Sequence, residues 1–249
     1  MIENTILRAN REGRKALVFA LPFPSTELVE LAARAGFDAI SLDGEHGHFA
    51  PESVDLVVRV AHGYGLSVTA RVPSIDAWMI NLWLDRGVQG ILGPHVETGA
   101  DAQRLADACH FPPAGKRSWG GGRGTDFNED AALEKYGGKL GFARWANQNM
   151  IVSAQIESKK AYDNLDEILA VPGLHGIGGG PNDFAASLDH PGEPDHPERV
   201  RLTDDAEARA RRAGKAVMGD YMATLALQEL MLRGGREFAR QHQNEPVGA

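Results

Sequence analysis

Asp43, Glu45 and His46 follow directly on a short apolar run, Ala39-Ile40-Ser41-Leu42. Three ionisable side chains at one strand end are poor core material, and Gly44 between them lets the backbone turn. A histidine near a carboxylate is a candidate general base, because an unperturbed imidazole titrates close to pH 6.5. The alternative is a rim histidine without a chemical role, since the chain has nine histidines. Arg71 ends Val68-Thr69-Ala70-Arg71. A guanidinium there can hold a carboxylate or a developing oxyanion, or simply pair with Asp43 or Glu97. Gln155 and Glu157 close the run from Ile151, and Asp183 follows Gly178-Gly179-Gly180-Pro181-Asn182. Glu157 and Asp183 are about one strand–helix unit apart. Two carboxylates on neighbouring strand tips make an all-oxygen site suited to Mg2+, Mn2+ or Co2+. The plainer reading is a pair of solvated or helix-capping acids. Gln155 can donate to a ligand or satisfy nearby backbone.

Such tips need a scaffold that repeats. Helix-like segments end at Gly36, Gly87, Gly173 and Gly214, and a strand-like run begins two or three residues later. Glycine just past a helix takes the left-handed conformation cheaply, so these are helix–Gly–strand units and imply a parallel sheet. Strands are expected near 15–22, 39–43, 67–72, 90–96, 151–157, 176–180 and 216–221. The eighth is expected at the polar, atypical run 236–241. Ser25 and Thr26 cap one helix, Pro51 opens another, and 76–85 and 98–109 carry the helical period. The whole pattern is α/β: a (β/α)8 TIM barrel formed by one domain over 1–249, with reactive groups at the C-terminal strand ends. The glycine-rich segment 112–124 is expected as a loop over the site, and 189–197 as a second loop. The polar tail from Gln241 is expected to fray.

The formal net charge of −8 argues against nucleic acid and membrane surfaces as partners. A single cysteine, Cys109, allows no intrachain disulfide and is expected to be structural. The first residues lack a signal-peptide pattern and no apolar run reaches about 20 residues, so the cytoplasm is the expected location.

Six segments together resemble the HpcH/HpaI family of metal-dependent (class II) pyruvate aldolases: Phe37 to His46, Ala70 to Pro73, Phe111 to Arg117, Gln155 to Ser158, Asp163 to Ile168, and Gly180 to Leu188. The resemblance runs from about residue 13 to 220. It implies that Glu157 and Asp183 hold a divalent cation, Mg2+ or Mn2+ or else Co2+. A 2-oxo acid such as pyruvate would chelate it, and the cation would stabilise the enolate. It further implies that His46, steered by Asp43, moves protons, that Arg71 binds the ketone or enolate oxygen, and that Gln155, Asn182 and Asp183 seat the 2-oxo acid. The partner substrate would be an aldehyde, reached through the glycine-rich loop, and the assembly a homo-oligomer, a trimer or hexamer. Another enolate-forming carbon–carbon lyase, an acyl-CoA lyase or a decarboxylase, is the alternative. Its supporting feature is the basic loop 116–123. A silent binding barrel is a third reading.

Overall fold

The computed structural model describes residues 1–243. In chain order its elements are α1 (Thr5–Arg11), β1 (Ala16–Leu21), α2 (Thr26–Arg34), β2 (Ala39–Asp43), α3 (Pro51–Gly63), β3 (Ser67–Arg71), α4 (Ala77–Leu84), β4 (Gly90–Gly93) and α5 (Gly99–Cys109). A 3-10 turn at Arg123–Asn128 precedes α6 (Asp130–Glu134), α7 (Gly138–Gln148), β5 (Ile151–Ile156), α8 (Lys159–Asp163), α9 (Leu165–Leu169), β6 (Gly176–Gly179) and α10 (Pro181–Ser187). Then come α11 (Pro197–Arg212), β7 (Ala216–Val217), α12 (Met218–Tyr221), β8 (Met222–Ala226) and α13 (Leu227–His242).

All eight strands run parallel in the order β7-β6-β5-β4-β3-β2-β1-β8. This is a curled, TIM-barrel-like (β/α)8 sheet with helices outside. Gly36, Gly87, Gly173 and Gly214 all have positive φ, as helix-ending glycines should. Strand alternation divides the side chains. Ile40, Leu42, Val68, Ala70, Ile91, Val152, Ala154 and Ile177 join the helix-facing core. Ser41, Thr69, Arg71 and Ser153 instead line a lumen of about 410 Å³. Small inward residues, among them Gly90 and Gly178, leave that space. Helix α1 plugs the N-terminal end: Ile6 and Ala9 pack with Val18, Ala39 and Ile151, and the Asn4 side chain donates to the Gln89 and Asn149 carbonyls.

Three expectations are corrected. The eighth strand is Met222–Ala226, paired with β1, whereas 236–241 lie within α13. β7 is only two residues long, and the single turn α12 replaces a full crossover helix before β8. Among the described residues no ladder joins β7 to β8, so the ring is open there. The glycine-rich segment also lies elsewhere. It follows α5, which returns the chain to the N-terminal end of the barrel. There the Gly124 N–H donates to the Asp85 carbonyl at the end of α4, Arg117 reaches the Leu84 carbonyl, and Asp126 meets the Met1 amine. It therefore does not cover the strand tips of its own barrel.

The loop after α10 ends at Pro197, as expected. The expected fraying of 244–249 falls outside the described residues, and Gln241 and His242 close α13. Among the described residues no helix is long and apolar enough to cross a membrane.

Candidate active site

Parallel register sets Asp43 of β2 opposite Arg71 of β3. The guanidinium grips the carboxylate with both prongs, Nε to Oδ1 at 3.0 Å and Nη2 to Oδ2 at 2.8 Å. Its third nitrogen, Nη1, lies 3.0 Å from Glu45 Oε2. Burial alone would raise the Asp43 carboxyl. The Arg71 fork and the His46 and Glu45 N–H groups outweigh it and hold Asp43 below the ordinary carboxylate range. Burial likewise opposes charge on Arg71, but Asp43, Glu45 and Glu157 keep its pKa raised.

The β2 loop that carries Glu45 bends tightly over β3. The Gly44 N–H donates to the Arg71 carbonyl at 2.8 Å, and a Cβ at Gly44 would meet Trp83 at 2.5 Å. Close approach, not a positive φ, is what requires glycine there. Asp43 Oδ1 also accepts the Glu45 and His46 backbone N–H groups, each at 3.2 Å. Asp43 thus orients His46 through the main chain rather than through its ring. The His46 side chain is 65% exposed, with Nε2 4.0 Å from Glu45 Oε2.

Across the mouth stands Glu157, just beyond β5 and 3% exposed. Its Oε1 accepts the His95 N–H at 2.7 Å, and Gln155 Nε2 donates to its Oε2. Burial raises the Glu157 pKa, and the charges of Glu45 and Asp183 add to the rise against the opposing effect of His95. Gly180 makes room for this carboxylate: a Cβ there would meet Glu157 Oε2 at 2.5 Å and Gln155 Nε2 at 2.6 Å. Asn182 and Asp183 stand exposed in the first turn of α10, three residues or fewer beyond Gly180.

Two residues outside the expected set complete the network. Glu45 Oε1 lies 2.9 Å from His95 Nε2, and His95 Nδ1 lies 3.3 Å from Glu157 Oε1. His95 holds a left-handed φ of 52°, unusual for a non-glycine residue, and turns its ring between the two acids. One chain of contacts therefore runs Asp43–Arg71–Glu45–His95–Glu157–Gln155. Their sequence signal was position: Glu45 lies between Asp43 and His46, and His95 follows β4 just as Arg71 ends β3. Glu97 stays outside this chain and pairs with Lys160 and Ser158. Cys109 is buried, which pushes its thiol up to about 12 and removes it as a nucleophile.

The residues fit a hard divalent cation. Glu157 and Asp183 offer oxygen donors, and the charges of Glu45 and Asp183 both bear on the buried Glu157 carboxylate, a stress that a cation would relieve. Gln155 Oε1 and Glu45 Oε2 are buried without a hydrogen-bond donor, although the latter has Arg71 within ion-pair distance. The basic loop invoked for an acyl-CoA ligand has other partners: Lys116 pairs with Asp107, Arg123 lies 3.5 Å from Asp55, and Arg117 is buried over the Phe111 ring.

The sequence model of the HpcH/HpaI aldolase/citrate lyase family matches residues 15–244. A 4-hydroxy-2-oxovalerate aldolase of Rhodococcus jostii is 36% identical over 86% of this chain and 80% of its own. A hydroxypyruvate/pyruvate aldolase of Roseovarius nubinhibens is 32% identical over 94% and 87%. The crystal structure of a family protein from Burkholderia cenocepacia superposes with a TM-score of 0.83 at 26% identity, covering 97% of this chain and all of that one. With the strand-tip acids and the parallel barrel in place, these likenesses assign the chain to the HpcH/HpaI aldolase/citrate lyase family, and so to the carbon–carbon lyases.

Proposed function

We propose that this chain, acting as one catalytic domain, is a divalent-metal-dependent aldolase. It makes or cleaves 4-hydroxy-2-oxo acids, with pyruvate or a related 2-oxo acid on one side and an aldehyde on the other. The observation that carries this reading is the buried, charge-stressed carboxylate of Glu157 beside Asp183, with Arg71 locked in place on the facing side.

Glu157 and Asp183 hold the cation, Mg2+ or Mn2+ or Co2+, whose positive charge offsets the charge that develops on the 2-oxo acid. Arg71 is fixed by Asp43 and Glu45, so its remaining N–H groups are oriented before substrate arrives and bind the ketone oxygen as it becomes enolate oxygen. Gln155 and the turn at Asn182 and Asp183 seat the carboxylate. In cleavage, the C4 hydroxyl gives up its proton and becomes the aldehyde carbonyl. The C3–C4 bond breaks, its electron pair passes to C3, and protonation there yields pyruvate. His46, exposed on the rim, moves these protons. A homo-oligomer, trimer or hexamer, is the expected assembly.

The test is pyruvate release from a panel of 4-hydroxy-2-oxo acids, together with exchange of pyruvate methyl protons in deuterated water. Both should vanish in chelator and return with Mn2+ or Mg2+. Full turnover by protein verified to be free of metal would refute the proposal.

A further inference from the structure

We propose that the loop between α10 and α11 is a second cation site. His190, Glu193 and His196 would there take a borderline transition-metal ion such as Zn2+ or Co2+. One ligand atom from each lies within 4.8 Å of the other two. Consecutive turns bring them together: the Glu193 N–H donates to the His190 carbonyl at 3.2 Å, and the His196 N–H to the Glu193 carbonyl at 2.9 Å. Each turn advances three residues and returns to the same side. The His190 and His196 rings accordingly stack with centroids 3.4 Å apart and planes 19° from parallel. Glu198 Oε2, 3.9 Å from His190 Nε2, adds a second carboxylate beside the set.

Two imidazoles and a carboxylate are a zinc-type donor set, which leaves a fourth position for water. It differs in kind from the all-oxygen pair Glu157 and Asp183. To converge on one ion the stacked rings must turn, and their partial exposure allows it. His196 Nδ1 accepts the Glu198 N–H at 3.3 Å as the cap of α11, so ion capture trades that long contact for a coordination bond. The bound ion ties down the loop that follows α10, the helix carrying Asn182 and Asp183, and braces the active-site helix from outside.

Equilibrium dialysis of the full chain against Co2+, with visible absorption, tests this. The His190→Ala/His196→Ala variant should bind one ion fewer than the unaltered protein and lose the intense visible bands of a tetrahedral, nitrogen-containing site. Glu193 is exposed, so Glu193→Gln should keep the fold and, by replacing a charged ligand with a neutral amide, weaken this site about tenfold or more. Glu157→Gln/Asp183→Asn should lose the other ion and keep the bands. If that variant loses no ion while the histidine variant still does, the aldolase-metal reading fails and the loop site stands. Equal ion counts and equal spectra for the unaltered, double-histidine and Glu193→Gln proteins overturn the loop site.

Discussion

Arg71 and Asp43 meet in a two-pronged contact at 3.0 and 2.8 Å, directly across the β2–β3 register. The sheet itself sets this geometry, because opposite residues of parallel neighbours are fixed by the ladder. Arg71 is therefore positioned by secondary structure and charge together. Its third nitrogen reaches Glu45 and so links the fork to His95 and Glu157.

Arg71→Lys keeps the charge but cannot reproduce the fork. A lysine ammonium at this point serves Asp43 or the substrate oxygen, not both in fixed geometry. We expect kcat/KM for the retro-aldol reaction to fall by about 100-fold or more, the usual loss on removing one oxyanion donor. Steady-state kinetics at saturating Mn2+ measure it; a loss below threefold would exclude Arg71 from the chemistry.

Asp43→Asn probes the same fork from the acid side and carries a pH signature. The folded-state pKa of Asp43 is lowered, so its stabilisation is present above the unfolded value of about 3.9 and disappears as pH falls through the folded value. Asp43→Asn should cost about 1–2 kcal/mol at pH 7. Urea unfolding should show the gap to the unaltered protein closing below about pH 4. A gap that persists unchanged at pH 3 would contradict this account.

Glu157 has the opposite sign. Its pKa is raised chiefly by burial, so the metal-free protein loses stability as pH rises through the folded value. Glu157→Gln removes that charge. Gln155 can flip its amide so that the unpartnered Oε1 accepts from the new side-chain NH2. In chelator at pH 8 the variant should melt about 2–4 °C higher, roughly 1 kcal/mol. Added Mn2+ should stabilise the unaltered protein and leave the variant unmoved. Thermal unfolding with and without metal decides it, and equal Mn2+ stabilisation of both proteins would remove Glu157 as a ligand.

The repeating helix–Gly–strand units and the strand-tip acids were legible in the sequence because both follow local rules of backbone conformation and alternation. The position of β8 was not. Met222-Ala-Thr-Leu-Ala226 follows β7 after a single helical turn, much closer than the strand–helix spacing of the other units, whereas 236–241 carry the helical period of α13. The placement of the glycine-rich loop could have been found from chain direction alone: a loop after a helix of a parallel barrel returns to the N-terminal end. Glu45 and His95 were harder. Neither has a spacing motif, and His95 reaches Glu157 only because its backbone takes a left-handed turn that histidine rarely adopts.

His95→Asn tests that bridge while sparing the backbone, since asparagine tolerates the left-handed region. The shorter amide cannot span Glu45 and Glu157. The backbone N–H to Glu157 remains, so the expected effect is partial: about 10–100-fold weaker cation binding, as when a residue orienting a metal ligand is lost. Calorimetric Mn2+ titration measures it. Unaltered affinity would mean that the ring does not position Glu157.

Helix α13 bears on assembly. Leu227 is buried against the barrel, whereas Leu230, Met231 and Phe238 follow on one helical stripe and are 40%, 64% and 66% exposed. Apolar side chains recurring at this period form a face that normally meets another surface, and the expected homo-oligomer supplies one. Met231→Lys/Phe238→Lys places two charges on that stripe without touching Leu227 or β8. Light scattering after gel filtration should show a trimer or hexamer for the unaltered protein and a smaller species for the variant, with circular dichroism unchanged. If both elute with the same mass, the stripe is not the contact that holds the subunits together.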